Sequence, residues 1–313
     1  MNTCNGCRKN SSINRPFAGR EIGPPLRSRM VDWLHLIKLP VCLLVAFSTL
    51  FGSVLAGPVT LSGTMPTVLG MLLLACGSAA LNSLQEIQLD ASMARTKDRP
   101  LPQGRISGCQ AGVLALLLIA AGLWGLYLGS HVLRTVGLGL VAVVLYNLVY
   151  TTLKTRTVAA IIPGALSGAL PPYIGWSAAG GDPLSGTAFL LCGLFVLWQV
   201  PHSLLIVLSH KDDYLRNDMP SLIKLFPESS LKRILMIWTG AFFTVLLFFT
   251  GVPMGLTDGV RAIVWISVFV VFISICLQMP RKRRPDYQVL FIQQNLYLFF
   301  IMVIFISDKV FFC

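Results

Sequence analysis

The stretch GMLLLACGSAALNSLQEIQLD, residues 70–90, joins a long apolar run to a group of amide and carboxylate side chains. The apolar run extends over about 20 residues, which is enough for a helix to cross the roughly 30 Å hydrocarbon core of a bilayer. A soluble amphipathic helix would carry polar residues every few positions, and this run does not. The stretch therefore predicts a membrane-spanning helix that ends at the bilayer surface in side chains able to bind a ligand.

Comparable apolar runs recur along the 313 residues, of which 55% are hydrophobic and 12% charged. Soluble domains carry about 25% charged residues, so most of this chain belongs in lipid. We predict an all-α integral membrane protein of about nine transmembrane helices, with residues 1–30 as a basic cytoplasmic tail and 31–313 as a single domain. The predicted spans are residues 39–58, 66–89, 109–129, 132–151, 157–178, 186–209, 234–253, 259–279 and 289–311.

The distribution of basic residues sets the orientation of these spans. With a cytoplasmic N-terminus, 22 of the 25 Lys and Arg residues fall in cytoplasmic segments, and only Arg134, Arg261 and Lys309 lie on the other side. This asymmetry follows the positive-inside rule. The same rule explains the net charge of +12, which in a soluble protein would suggest nucleic acid. We therefore expect the lipid bilayer, and no nucleic acid, as a partner.

Asn82, Glu86 and Asp90 follow one another at intervals of four residues. On a helix they project from one face, because each step of four residues turns the direction by only about 40°. Oxygen ligands that converge in this way suit Mg²⁺, which binds carboxylates together with waters and substrate phosphates. The alternative is a solvated helix end, but carboxylates at membrane depth are costly and usually functional.

Several cations accompany this first acidic group on the cytoplasmic side. They could clamp a diphosphate, or simply anchor the helix ends at the bilayer surface. The candidates for diphosphate binding are Lys38, Arg95, Lys97, Arg99, Lys154 and Arg156.

A second acidic group, Asp212, Asp213 and Asp218, follows the sixth predicted span on the same side. Two acidic groups at equal depth make a shared, metal-bridged diphosphate site plausible. His202 lies inside the sixth span, where it could be a core histidine, a haem ligand or an acid–base group.

Three stretches resemble the UbiA superfamily of membrane prenyltransferases, and within it the protoheme IX farnesyltransferase family. The pattern NxxxExxxDxxMxRTxxRPL matches residues 82–101, although the family usually has Asp where this chain has Glu86. YTTLKTRTVAAIIPGALSGALPPYIGWSAAGG (150–181) and WQVPHS (198–203) also match. After Met219 and Pro220 the family usually has a second proline, where this chain has Ser221. The likeness covers about residues 35–310.

This resemblance implies a UbiA-type bundle around a central cavity, with residues 31–313 forming a transmembrane prenyltransferase domain. The implied reaction moves farnesyl from farnesyl diphosphate to a vinyl group of haem B, and water completes haem O. The implied cofactor is Mg²⁺, bound by Asn82, Glu86, Asp90, Asp212 and Asp213. Among these, Asn82, Glu86, Asp90 and Asp213 are the expected catalytic residues, and the expected acceptor contacts are His202, Tyr150 and Trp198.

The resemblance further implies a bacterial cytoplasmic membrane, in preference to the mitochondrial inner membrane, and a downstream haem-modifying enzyme as a partner. Two other functions stay open. One is a UbiA-type enzyme with an aromatic or chlorin acceptor, and the other is a membrane cation transporter. A transporter would carry charged residues near the bilayer midplane, whereas these carboxylates lie near one surface, which favours an enzyme.

Overall fold

The computed structural model describes residues 26–216, 220–279 and 285–312. All regular structure in this part of the chain is helical, and nine of its helices are long and apolar enough to cross a membrane. These spans are α2 (Leu39–Ala56), α3 (Leu61–Gln85), α5 (Gly108–Ser130), α6 (Leu133–Leu153), α7 (Val158–Ala178), α8 (Gly186–Ser209), α11 (Glu228–Gly251), α12 (Asp258–Gln278) and α13 (Tyr287–Phe311). The short helices are α1 (Leu26–Leu36), α4 (Ile87–Ser92), α9 (Lys211–Arg216) and α10 (Leu222–Leu225).

The nine predicted spans are confirmed within the described residues, and the larger differences lie at the ends of the second and seventh spans. The seventh starts at Glu228, where residue 234 was predicted. The second span starts at Leu61 and stops at Gln85, where a single helix over 66–89 was predicted. Helix α1 begins at Leu26, inside the predicted tail 1–30, and the rest of that tail lies outside the described residues. Apolar length therefore predicts the spans well, and local breaks at their polar ends poorly.

Helices α3 and α5 approach each other closely because glycines face glycines along their contact. A Cβ atom at Gly70 would lie 2.6 Å from the backbone nitrogen of Leu126, and one at Gly122 would lie 2.5 Å from that of Leu74. Small residues permit this close approach where lipid supplies no hydrophobic driving force between helices. The contact fixes α3, whose last turns carry the first acidic group.

The opposite half of the bundle has an aromatic core. The ring of Phe51 on α2 lies 6.2 Å from Phe195 on α8 and 6.0 Å from Phe305 on α13. Phe305 also stacks on Phe249 of α11 at 6.1 Å. Each of these four side chains is at most 3% exposed. Large rings with few rotamers make this half of the bundle a rigid support for α8.

Helix α7 packs against α2, α6 and α8 and so joins the two halves. Its contact with α2 is tight, because Ser53 donates a hydrogen bond to the carbonyl of Gly175 at 3.1 Å, and a Cβ at Gly52 would overlap the carbonyl of Pro172. The chain is thus a multi-pass helical bundle in which α7 separates α6 from α8.

Candidate active site

The first acidic group lies at a break between α3 and α4. Glu86 has φ −107° and ψ 16°, which is outside the helical region, so α3 ends and α4 begins around it. The four-residue register nevertheless continues, because the amide of Glu86 donates to Asn82 O at 3.1 Å and that of Asp90 donates to Glu86 O at 2.8 Å. The prediction of an unbroken helix was wrong, but Asn82, Glu86 and Asp90 all become buried at the same end of the bundle.

Each of these three side chains is paired with a cation from a different segment. Lys38 Nζ donates to Asn82 Oδ1 at 2.7 Å, and Lys154 forms an ion pair with Glu86. Arg99 Nη1 contacts both oxygens of Asp90, at 2.9 and 2.8 Å. Six predicted diphosphate or metal contacts, separated by up to 116 positions in the sequence, are thereby brought together in a compact site of opposite charges.

Lys38 is held in an unusual backbone conformation at the junction of α1 and α2. Its φ of 53° lies in the left-handed region, which residues other than glycine seldom adopt. Burial, reinforced by the neighbouring charge of Arg99, lowers the pKa of its amine to about 8. Strained backbones of this kind persist where the surrounding structure fixes them and are frequent in functional sites.

Helix α6 reaches the site through a π-helical segment, Val144–Tyr150. Its carbonyl at Tyr146 accepts from Thr151 Oγ1 at 2.8 Å, and Thr151 in turn accepts from Asn82 Nδ2 at 3.1 Å. Asn147 Nδ2 donates to the carbonyl of Ser78 on α3 at 2.9 Å. π-Helical turns are rare and concentrate at functional sites. Thr151 and Asn147 were not predicted as site residues, since neither belongs to a charged or acidic pattern.

The same segment stacks two tyrosines beside the cations. The rings of Tyr146 and Tyr150 lie 5.7 Å apart and nearly parallel, and Lys154 Nζ lies 5.4 Å from the centre of the Tyr150 ring. Both rings are half-buried. Aromatic faces in this position can stabilise a positive charge that forms close by.

The loop between α4 and α5 covers the acidic group and is tied to α1. Arg105 Nε contacts both oxygens of the buried Asp32, each at 3.0 Å, and its Nη2 donates to the carbonyl of Asp98 at 2.9 Å. Thr96 Oγ1 donates to the carbonyl of Asp90 at 2.9 Å. Arg105 is therefore a structural anchor of this loop.

Other predicted cations and one carboxylate stay in solvent. All four side chains are exposed and form no ion pair within the described parts of the chain. They belong to Arg95, Lys97, Arg156 and Asp212. Asp213 is half-buried, and Asp218 lies outside the described residues. No group of three His, Cys, Asp or Glu side chains that could hold a metal is found among residues 26–216, 220–279 and 285–312. The described residues thus support the first acidic group as the centre of the site.

The second acidic segment contributes a tyrosine that sequence reasoning missed. Burial raises the pKa of the Tyr214 phenol, and Tyr150 raises it further, whereas the charges of Arg95 and Lys154 lower it. These effects require that the half-buried Tyr214 lie near the cluster around Lys154. The sequence feature that could have indicated Tyr214 as a site residue is its position directly after Asp212 and Asp213.

His202 and Trp198 lie deeper in the bundle, on α8. The centre of the His202 ring lies 4.4 Å from that of Trp198 and 5.0 Å from that of Phe291. Its Nδ1 atom is buried and has no hydrogen-bond partner in the described part of the chain. Buried polar atoms normally have one, so this nitrogen is available to a ligand.

The residues of the first acidic group fit Mg²⁺. Mg²⁺ commonly uses one or two protein carboxylates and completes its shell with waters and substrate phosphates. Glu86 and Asp90 supply two buried carboxylates, and Asn82 supplies an amide oxygen. Glu86 Oε1 is buried and in contact with the ammonium of Lys154. A carboxylate has about four lone-pair sites, so Glu86 can accept from Lys154 and also bind a metal ion.

The fold is a multi-pass membrane bundle, and the family match defines its class as a membrane-embedded prenyltransferase. Residues 45–303 match the UbiA prenyltransferase family, and the chain belongs to that family. A solved UbiA homolog from Archaeoglobus fulgidus, bound to GPP and Mg²⁺, has the same fold, with a TM-score of 0.67 at 16% identity over 89% of this chain and 98% of its own.

Within the family, the chain is similar to curated protoheme IX farnesyltransferases. The chain is 36% identical over 260 residues to the protoheme IX farnesyltransferase of Nitratidesulfovibrio vulgaris. This match covers 82% of this chain and 89% of the relative. It is 48% identical over 151 residues to the protoheme IX farnesyltransferase of Geobacter sulfurreducens, over 48% of this chain and 55% of the relative.

Proposed function

We propose that this protein transfers a farnesyl group from farnesyl diphosphate to a vinyl group of haem B and, with addition of water, forms haem O. The observation that carries the proposal is the buried cluster of Asn82, Glu86 and Asp90, each paired with a cation, in a chain similar to protoheme IX farnesyltransferases over most of its length. A cluster of this composition suits a metal-bound diphosphate.

Release of diphosphate is the step that this cluster assists. The carbon–oxygen bond of the allylic diphosphate breaks, and its electron pair leaves with the diphosphate. Arg99 and Lys154 are held beside the carboxylates in advance, so they stabilise the leaving group without a large reorganisation. Asn82, Glu86 and Asp90 would hold Mg²⁺, which, when bound, stabilises negative charge on the diphosphate.

The farnesyl cation then needs a place that excludes bulk water. The half-buried rings of Tyr146 and Tyr150 lie directly beside the cationic cluster, and Trp198 and His202 lie deeper on α8. Aromatic faces stabilise the cation, and the surrounding apolar side chains delay its reaction with solvent. The vinyl group of the acceptor supplies the electron pair for the new carbon–carbon bond, which leaves the positive charge on the carbon next to the porphyrin ring.

Purified protein incubated with haem B, farnesyl diphosphate and Mg²⁺ tests the proposal by mass spectrometry. The expected product has the mass of haem B plus farnesyl plus one hydroxyl, and its new oxygen comes from solvent when the reaction runs in ¹⁸O-water. Prenylation of only a phenolic or chlorin acceptor would move the protein to another branch of the family. Metal flux without diphosphate release would indicate a transporter.

The proposed setting is a bacterial cytoplasmic membrane with the N-terminus and the site on the cytoplasmic side, where a downstream haem-modifying enzyme receives the product. The distribution of Lys and Arg supports this orientation. Reporter domains fused after Ser130 or Gly180 should be non-cytoplasmic, and one fused after Arg105 should be cytoplasmic. The reverse pattern would contradict the orientation without affecting the proposed reaction.

A further inference from the structure

Gln199, in the middle of α8, has an amide with no hydrogen bond among the described residues. Other glutamines of the spans are paired: Gln294 Nε2 donates to the carbonyl of Trp198 at 3.2 Å, and Gln278 Nε2, at the end of α12, donates to Gln293 Oε1 at 2.8 Å. An unpaired amide in an apolar environment is costly. Since the side chain of Gln199 is half-buried and not sealed in the core, a ligand or a water can reach it.

The amide of Gln199 lies against α7 at a glycine. A Cβ atom at Gly168 would lie 2.9 Å from Gln199 Oε1, and a Cβ atom at Gly164, one turn earlier, would lie 3.0 Å from the Tyr150 ring. Tyr150 and Gln199 therefore line successive turns of the same face of α7, about 6 Å apart along its axis. Tyr150 adjoins the cationic cluster, so Gln199 lies just inward of it.

The depth of Gln199 agrees with this placement. It precedes the end of α8 at Ser209 by ten residues, and Gly168 follows the start of α7 at Val158 by ten. Ten residues of helix measure about 15 Å, which is near the middle of the hydrocarbon core.

We infer that Gln199 is a positioning residue that holds the water which completes the product, an inference that rests on the proposed function. A neutral amide both donates and accepts hydrogen bonds, as a bound water requires, whereas a carboxylate or phosphate ligand would favour a cation. The water oxygen forms a bond to the carbon next to the porphyrin ring. It loses one proton, which the departed diphosphate takes up, and no electrons are exchanged with another reactant.

Without a positioned water, the same carbocation has another outcome. It can lose a proton from the neighbouring CH₂ group, which gives an alkenyl side chain lighter than the hydroxylated product by one water. The ratio of alkenyl to hydroxylated product therefore reports on the water and not on diphosphate release. A role for Gln199 in packing alone would leave this ratio unchanged.

The test compares Gln199→Met with wild type in membranes or detergent, with haem B, farnesyl diphosphate and Mg²⁺ in ¹⁸O-water. Methionine keeps the length of the side chain and removes its hydrogen bonds. The alkenyl-to-hydroxylated ratio should rise about tenfold, as loss of about 1.4 kcal/mol of transition-state stabilisation predicts, while the rate of diphosphate release stays near that of wild type. Gln293→Met, at a glutamine bonded to Gln278 and Ser274, is the matched control and should keep the wild-type ratio.

An unchanged ratio in Gln199→Met, at a normal rate of turnover, would overturn the inference. If Gln199→Met yields too little folded protein, Gln199→Leu is measured in the same way and judged by the same ratio. Wild-type protein that forms no farnesylated haem would instead contradict the proposed function, and the inference would fall with it. The two failures are distinguishable because only the second is seen in wild type.

Discussion

The two acidic segments of this protein look alike in sequence but differ in structure. In the first, Asn82, Glu86 and Asp90 are buried and each is paired with a cation from another part of the chain. In the second, Asp212 is exposed and Asp213 half-buried, and the tyrosine that follows them lies near the first cluster. The partners of the first acidic group come from segments that are distant along the chain, so the spacing of its side chains does not by itself identify them.

The largest effect is expected from removing one charge in the first segment. Asp90→Asn keeps the shape of the side chain but loses the charge that holds Arg99 and suits a hard cation. We expect the rate of farnesyl transfer to fall about a thousandfold. The matched change Asp212→Asn should stay within about twofold of wild type, since surface charges contribute little. Thermal unfolding of both variants checks their folding, and full activity of Asp90→Asn in Mg²⁺ would refute the assignment.

A smaller effect is expected at the cations. Arg99→Ala should raise the KM for farnesyl diphosphate about a hundredfold, because a charge-assisted contact is lost from a half-buried position. Arg99→Lys should recover only part of this, since lysine lacks the planar fork that spans two oxygens. The KM for haem B should hardly change in either variant. Lys97→Ala is the control, and equal weakening of both substrates by Arg99→Ala would make Arg99 a structural anchor.

Shortening a carboxylate should have a milder effect than removing it. Glu86→Asp keeps the charge and withdraws it by one methylene from Lys154. We expect activity to fall about tenfold, with a higher Mg²⁺ concentration at half-maximal rate, because small displacements of catalytic groups lower rates. A titration with Mg²⁺ measures this. Complete inactivity at every Mg²⁺ concentration would show that position 86 does more than supply a charge.

The smallest effect concerns the second segment. Tyr214→Phe removes the hydroxyl of a half-buried side chain on which the charges of Arg95 and Lys154 act. We expect kcat/KM for farnesyl diphosphate to fall about three- to tenfold, as loss of one contact between this hydroxyl and the substrate predicts. A loss well below that of Asp90→Asn but above that of Asp212→Asn would assign the contribution of this segment to its tyrosine. If Asp212→Asn proves more harmful than Tyr214→Phe, the second segment acts through its carboxylates.

The spans and the first acidic group could be predicted from sequence because both depend on short-range regularities. Apolar length predicts a span, and the four-residue spacing predicts that Asn82, Glu86 and Asp90 share a side. The pairing of Glu86 with Lys154 and of Asn82 with Lys38 could not be predicted, since it arises only when α2, α3 and α6 come together. The left-handed backbone of Lys38 depends on the same assembly.

The contacts of the individual cations could not be predicted for a similar reason. Arg95, Lys97, Arg99 and Arg105 belong to one basic run, yet only Arg99 reaches a carboxylate of the cluster, while Arg105 binds Asp32 of α1. The sequence places all four near the bilayer surface but does not specify the path of the loop. Burial of Asp32 and Asp90 decides which arginines turn inward.

The π-helical segment of α6 links the site to chain length as well as to side-chain identity. A π-helical turn accommodates one residue more than an α-helical turn over the same rise. Deletion of the exposed Leu148 would let this segment return to α-helical geometry while Lys154 keeps its direction toward Glu86. Deletion of the equally exposed Leu140, in the regular α-helical part of α6, would rotate everything after it by about 100°, and Lys154 would turn away from Glu86 although it had not been replaced. A single-residue insertion absorbed as a π-helical turn is thus a route by which a relative could lengthen this helix and keep the cluster.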